Sequence, residues 1–494
     1  MSVAAQGGAT DAVAHDVLIL GGGITGLGVA RLAARNGLSV ALIERGDLAS
    51  GASSGSSHML HGGLRYLEHG RIALVREALA ERAAVSRMAP SLAHPRRFLV
   101  PLHRGGRMAP WKLRIGLGLY DWLAGRLALA PHAMVRAREA LTLEPEIAAD
   151  GLLGAGLYSD VVMDDARLAI AVARDAAAHG AELHTYTQMI GARPLEGGGF
   201  EIMARDTLDG TDYVFRARTL VNATGAWTDG VRRQLWRALK PGAPEPAPLL
   251  RPSRGVHLIY PPLTRGHGLL LFSRDDRRVF FVVPLGHHSL VGTTEVEVPS
   301  PPVEDDFRPT VEEMRALRAE VARALPAHAG TPPIAVMAGI RPLLASEGGV
   351  GEASREHRVI EENGVLTVAG GKYTTFRVMA RDTLEAIAAL LPRAIRIVDA
   401  EEPLPVPPAG EPSLDQLAAF AVEHEFARRV SDVLRHRTSL WLSPDRGLAE
   451  AQRVAVVMTA KLGWDAERTR EELRVVTAAW REQETLLARV REDS

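Results

Sequence analysis

The first hydrophobic pattern is the run Asp16-Val-Leu-Ile-Leu20, short and unbroken, which predicts a strand buried on both faces of a parallel sheet. Gly21-Gly-Gly23-Ile24-Thr25-Gly26 follows at once. An Ala-rich helical period then runs to about Asn36, and Gly37 stops it. Ser39-Val-Ala-Leu-Ile-Glu44 predicts a second strand. Across 257–297 the period changes to alternation, in HLIY, GLLLF, RVFFVVPL and HSLVGTTEVE, with turns between, so an antiparallel sheet is expected. Pro-rich joins at 241–252 and 299–302 flank it, and 310–325 returns to a helical period. The Pro-rich string 403–412 predicts an extended linker, and 413–494 beyond it is helical in period with few strand signals.

Composition narrows the choices. A chain of 494 residues is too long for one core, so two or three domains are expected. The net charge of -1 gives no global field for nucleic acid. With no cysteine, disulfides, thiolate metal sites, iron–sulfur clusters and a catalytic thiol are excluded, and a reducing compartment fits. No apolar run reaches the about 18 residues of a membrane span, so membrane contact is expected to be peripheral. Residues 1–14 lack the basic start and apolar stretch of a signal peptide and are expected to be a disordered lead-in. The stretch Arg96–Leu129 mixes bases with Trp111, Tyr120, Trp122 and leucines. That suits an amphipathic helix on an anionic membrane, or a surface helix with snorkelling arginines.

The glycine spacing has a mechanism. Gly21 makes a tight turn, Gly23 lets backbone approach a pyrophosphate, and Gly26 lets the helix pack on the strand while its N-terminus offers N–H groups to phosphate. Glu44 ends the second strand, where a carboxylate can bind ribose hydroxyls. Inside this strand–turn–helix–strand frame the fingerprint indicates a dinucleotide. A second strand ends in Ala223-Thr-Gly225-Ala-Trp227, a pattern that recurs in FAD-binding folds. A third, from Val365, ends in Gly370-Gly371-Lys372-Tyr-Thr374-Thr375. The expected fold class is α/β: a discontinuous Rossmann-like FAD-binding domain (15–95, 135–235, 335–398), an antiparallel β-rich substrate cap (96–134, 236–334), a linker (399–412) and an all-α C-terminal domain (413–494).

Small and hydroxyl residues crowd 47–69, with Ser53, Ser54, Ser57, His58, His61, Gly62 and Gly63 running into Arg65 and Tyr66. The stretch suits close packing of backbone against a flat ligand. On "SSGSSHMLHGGLRYLEHG", the fingerprint before it, and "AGIRPL" and "GGKYTTFR" after it, the chain resembles the FAD-dependent, quinone-linked glycerol-3-phosphate dehydrogenases, within the superfamily of glycine and D-amino-acid oxidases. The resemblance spans about residue 16 to about residue 480.

The resemblance implies FAD, held by the fingerprint residues, Glu44, the 53–63 segment, Ala223, Gly225, Trp227, Gly339, Gly371, Lys372, Thr374 and Thr375. It implies oxidation of sn-glycerol 3-phosphate to dihydroxyacetone phosphate, with hydride passing from C2 to flavin N5 and electrons to a quinone at the inner face of the cell membrane, and a homodimer. The phosphate needs cations, and arginine suits it through its planar fork. Arg341 and Arg355 are the candidates, with Arg65 assisting beside Tyr66. Lys372 is expected near flavin and substrate hydroxyl. His257 is the expected base, since an unperturbed imidazole titrates near working pH. At position 58 the resemblance leads one to expect lysine, and this chain has histidine. The rival readings are an oxidase that uses oxygen, an amine or amino-acid oxidase, and a flavin-binding sensor without turnover. The Arg341/Arg355 pair and HGGLRYLE argue against the amine oxidase.

Overall fold

The computed structural model describes residues 14–273, 278–345, 356–406, 408 and 410–491. The lead-in up to residue 13 and Arg355 lie outside the described residues. The strands that position the site are, in chain order, β1 (His15–Leu20), β2 (Val40–Ile43), β3 (Ala93–His103), β4 (Leu152–Met163), β5 (Asp212–Asn222), β6 (Ser253–Tyr260), β7 (Ala335–Arg341) and β8 (Val365–Gly370). The helices are α1 (Ile24–Arg35), α2 (Pro110–Ala124), α3 (Asp165–Ala178), α4 (Val311–Ala324), α5 (Phe376–Leu390) and α6 (Ala466–Arg491).

Among the described residues β1 is central to an eight-stranded sheet, parallel to β2 on one side and β5 on the other, with β8 parallel beyond β5. Val17, Leu18 and Ile19 have no exposure, as the unbroken apolar run requires. Helix α1 packs over β1 between α3 and α5, and its alanines and glycines allow that close approach.

The second sheet has ten strands among the described residues. In it β6 pairs antiparallel with β7 and with the strand His288–Gly292. Strand β3 pairs antiparallel with β4 from Ala93↔Met163 to His103↔Leu152. Helix α4 starts at a capping box in which Thr310 and Glu313 exchange hydrogen bonds.

Three expectations need correction. The segment 135–235 does not belong wholly to the nucleotide domain, because β4 is hydrogen-bonded along its length to β3 in the second sheet. Likewise β7 opens the segment 335–398 but belongs to the second sheet through β6. The apolar runs are strands in both cases, and periodicity does not say which sheet a strand joins. The basic, aromatic stretch 96–129 is a helix only over Pro110–Ala124, and its first part is β3.

Beyond α5 the chain runs without regular secondary structure along the first domain. Asp399 pairs with Arg377 at 2.8 Å, Glu401 with Arg87 at 2.9 Å, and the Leu404 N–H donates to the Met88 carbonyl at 2.8 Å. The C-terminal region is helical, with Leu414–His424, Ala451–Leu462 and α6 around a core of Val430, Val433, Val454 and Met458. It docks through buried charge. Asp47, just past β2, accepts from His436 Nδ1 at 2.7 Å and from the Arg437 guanidinium at 2.7 Å, and Arg167 grips Glu425 with two bonds at 2.6 and 2.7 Å.

Candidate active site

The nucleotide end is made of backbone. A Cβ on Gly21 would sit 2.7 Å from the Ala223 carbonyl oxygen, and one on Gly26 would overlap the Gly21 carbonyl, so β1, the turn and α1 fit only with glycine there. Gly23 caps α1 without a side-chain bond, and Ser53 Oγ accepts from the Ile24 N–H at 2.9 Å. Thr25 lies in the first turn of α1. The Glu44 carboxylate accepts from the N–H groups of Gly22 (2.7 Å) and Gly46 (2.9 Å). Burial pushes the Glu44 carboxyl above its usual range, although these amides and Arg45 pull the other way. Ala223 and Gly225 follow β5, and Trp227 stacks on Phe307 at 4.8 Å with Arg45 over its ring at 4.1 Å. Ser54 Oγ is buried with no hydrogen-bond partner among the described residues. The glycine turn, leading into the N-terminus of α1, suits a pyrophosphate. These residues fit FAD.

The candidate substrate end is made of side chains from distant parts of the chain. His257 on β6 is buried, and its Nε2 lies 2.8 Å from Ser57 Oγ on the serine loop. Its Nδ1 has no hydrogen-bond partner among the described residues. Gly292 sits opposite His257, where a Cβ would strike the imidazole. Arg341, at the end of β7, donates to Thr293 Oγ1 at 2.7 Å and lies close enough to His257 to repel a proton there. Burial first, then Arg341 and His58, hold the His257 imidazole well below its ordinary value. It is therefore neutral at working pH, which corrects the expectation of an unperturbed imidazole.

Lys372 Nζ lies over the Tyr66 ring at 4.1 Å, and the His61 ring is 6.2 Å from Tyr66. Arg65 is half-buried in the 3-10 turn Leu64–His69. Gly339 on β7 abuts Gly55, where a Cβ would lie 2.9 Å from the Gly339 Cα, so the serine loop rests directly on the second sheet. Gly371, Thr374 and Thr375 form the turn between β8 and α5, with both threonines buried. The structure thus groups His257 with Ser57 and Arg341, and Tyr66 with Lys372 and His61. His58 lies close enough to bear on His257 but turns its Nδ1 elsewhere. Its Nδ1 is 3.2 Å from the Met163 carbonyl, and its ring lies nearly parallel to Trp441 at 6.0 Å.

One network had no counterpart in the sequence reading. Beneath the His61-Gly62-Gly63 turn, Asp160 of β4 accepts from the Gly62 N–H (3.2 Å), Arg82 (3.0 Å) and the Tyr120 hydroxyl (3.1 Å), all fully buried side chains. Burial pushes the Asp160 carboxyl up, against the pull of Arg82. A lone acid inside the apolar run of β4 was the available signal, since a buried charge needs partners.

Comparison with known proteins agrees with this geometry. The family described as "FAD dependent oxidoreductase" matches residues 16–403, and "C-terminal domain of alpha-glycerophosphate oxidase" matches 394–469. A glycerol-3-phosphate dehydrogenase of Mycobacterium leprae is 33% identical over 92% of this chain and 86% of its own length. One from Pseudomonas aeruginosa is 37% identical over 82% and 78%. The solved glycerol-3-phosphate dehydrogenase of Bacillus halodurans, complexed with FAD, superposes with a TM-score of 0.73 at 23% identity, covering 96% of this chain and 95% of that one. The L-alpha-glycerophosphate oxidase of Mycoplasma pneumoniae, with FAD bound, superposes with a TM-score of 0.58 at 16% identity, over 79% and 99%.

Proposed function

This chain belongs to the FAD-dependent glycerol-3-phosphate dehydrogenase family, it is an enzyme and its cofactor is FAD, and from that premise we propose that it oxidises sn-glycerol 3-phosphate to dihydroxyacetone phosphate and passes the electrons to a quinone. The observation that carries the reading is the buried His257, its Nε2 2.8 Å from Ser57 Oγ of the serine loop, with the Arg341 guanidinium held nearby on Thr293.

Arg341 binds the phosphate through its fork, with Arg65 and Arg355 as further cations. His257 takes the hydroxyl proton. Its low basicity is partly the work of Arg341. A phosphate dianion on Arg341 cancels that repulsion, so substrate binding itself makes His257 a better base. Ser57 holds the imidazole orientation through its hydrogen bond. Lys372 and Tyr66 border the hydroxyl, and the glycine turn, Glu44, the serine loop and the turn after β8 hold the cofactor. Bound there, FAD supplies the acceptor for the hydride leaving C2.

The acceptor and location are part of the same reading. Helix α2 buries Leu113, Leu117 and Tyr120 but exposes Trp111 (62%), Ile115 (62%) and Trp122 (67%) along its other face. Lys112, Arg114 and Arg126 are exposed beside them. An apolar stripe edged with bases suits a peripheral seat on an anionic membrane, where quinones reside. Among the described residues no helix is long and apolar enough to cross a membrane. Sedimentation with anionic vesicles at low salt is expected for the wild type and should fail for a Trp111→Ser, Trp122→Ser double variant. Turnover with glycerol 3-phosphate is expected to reduce an added quinone without stoichiometric peroxide. Stoichiometric peroxide in its place would assign oxygen as the acceptor. The reading includes a homodimer, which sedimentation velocity would test.

A further inference from the structure

Behind the serine loop lies a second space. A cavity of about 170 Å³ opens between that loop, β7 and the C-terminal helices, walled by His58, Met337, His436, Trp441, Trp480 and Gln483. It is well below the ~300–1,000 Å³ of sites for drug-sized ligands, so it has room for one substituted ring and not for a nucleotide.

Its polar atoms are conspicuous for what they lack. His58 Nε2, His436 Nε2, Trp480 Nε1 and Gln483 Oε1 are buried without a hydrogen-bond partner among the described residues. Both imidazoles are already committed at Nδ1, His58 toward the Met163 carbonyl at 3.2 Å and His436 toward Asp47 at 2.7 Å. Because those partners accept, each Nδ1 carries the hydrogen, and a neutral imidazole so arranged has its Nε2 lone pair for a donor. Trp480 offers an N–H. Leaving such groups unpaired is unfavourable, which marks a cavity suited to a polar occupant, in a lining that also carries Asp164, Asp165, Arg435, Asp445 and Arg446.

The serine loop borders both this cavity and the start of α1. On the groove side Ser53 binds the Ile24 N–H and Ser57 meets His257, while on the cavity side the same loop presents Ser54 and His58.

We propose that this cavity is the site at which the electron acceptor's ring binds, its occupant being a quinone. The proposal rests on the quinone reading above and deepens it. An oxidised ring carries two carbonyl acceptors, one of which the Trp480 N–H serves. The reduced ring carries two hydroxyl donors, which the imidazole lone pairs and Gln483 Oε1 serve. The balance closes: the alcohol gives up two electrons and two protons in becoming a ketone, and the quinone takes up two of each in becoming a quinol. Ala479, exposed at the rim of the cavity, leaves a way out for a ring substituent.

The test uses the full-length holoenzyme and a short-chain benzoquinone. Ala479→Phe narrows the mouth, and Trp480→Phe removes only the N–H. Both variants should bleach their flavin with anaerobic glycerol 3-phosphate at the wild-type rate. The KM for quinone should rise about tenfold in each, the size of one hydrogen bond or one lost ring contact. Unchanged quinone kinetics in Trp480→Phe and Ala479→Phe, with wild type active toward quinone, overturn this site and leave the acceptor reading standing. A wild type that reduces oxygen and no quinone overturns the acceptor reading, and this site with it. Should Ala479→Phe fold poorly, the conservative Trp480→Phe decides alone.

Discussion

The two ends of the cofactor groove are made of different material. At the nucleotide end the groups are backbone amides and the absence of side chains at Gly21, Gly23 and Gly26, all within one turn of chain. At the other end His257, Ser57, Arg341 and Lys372 come from β6, the serine loop, β7 and the turn after β8. The first end is a local property of sequence, so it tolerates no change in a few residues and is indifferent to the rest. The second is a property of packing between two sheets, so it depends on residues that never touch substrate, and its electrostatics are tuned by neighbours. His257 is the clearest instance, since a buried imidazole beside a guanidinium behaves unlike a free one.

The sharpest way to break the comparison is Gly26→Val. The side chain would run into the Gly21 carbonyl oxygen, so the turn and α1 cannot both keep their places. The expected outcome is protein without the yellow absorbance of FAD, or none that folds. The second is Asp160→Ala, which strands the fully buried Arg82 and frees the His61-Gly62-Gly63 turn. Breaking a buried pair this way costs about 3–5 kcal/mol, which chemical denaturation would read. The third is Arg341→Ala, which should keep FAD and stability but lose a charged hydrogen bond to phosphate, about 1.5–3 kcal/mol or roughly ten- to a hundredfold in kcat/KM. Loss of FAD in that variant would mean the two ends are not separable as described.

The smallest effect is on pH. His257 has its folded value lowered, so it contributes stability above the unfolded imidazole value and loses it as pH falls below that value. From pH 7.5 to 5.5 the wild type should lose about 1 kcal/mol relative to His257→Gln, since the unfolded chain takes a proton near 6.5 that the folded one refuses. For the same reason kcat/KM should show no inflection near 6.5 from free His257. An inflection there that disappears in His257→Gln would contradict the buried, neutral imidazole.

What was legible follows the same division. The run Asp16–Leu20, the glycine turn and Glu44 could be read directly, because strand, turn and helix are set by neighbours in sequence. The alternation after residue 257 gave the antiparallel sheet for the same reason. The sheet to which β4 and β7 belong could not be read, since an apolar run on either sheet looks alike. Nor could the triad Asp160, Arg82 and Tyr120, whose members are far apart in sequence and meet only when β4, α2 and the helix Ile72–Met88 pack. His58 was legible as a departure from the expected lysine, but not as a residue facing Trp441 across a cavity, because Trp441 arrives with the C-terminal helices.

The most direct measurement is anaerobic mixing of the purified holoenzyme with glycerol 3-phosphate while the flavin band is followed. Rapid bleaching, with dihydroxyacetone phosphate formed in the amount of flavin reduced and the rate cut in Arg341→Ala, is the predicted result. A band that stays yellow with glycerol 3-phosphate, or that glycine or sarcosine bleaches instead, would contradict the substrate assignment.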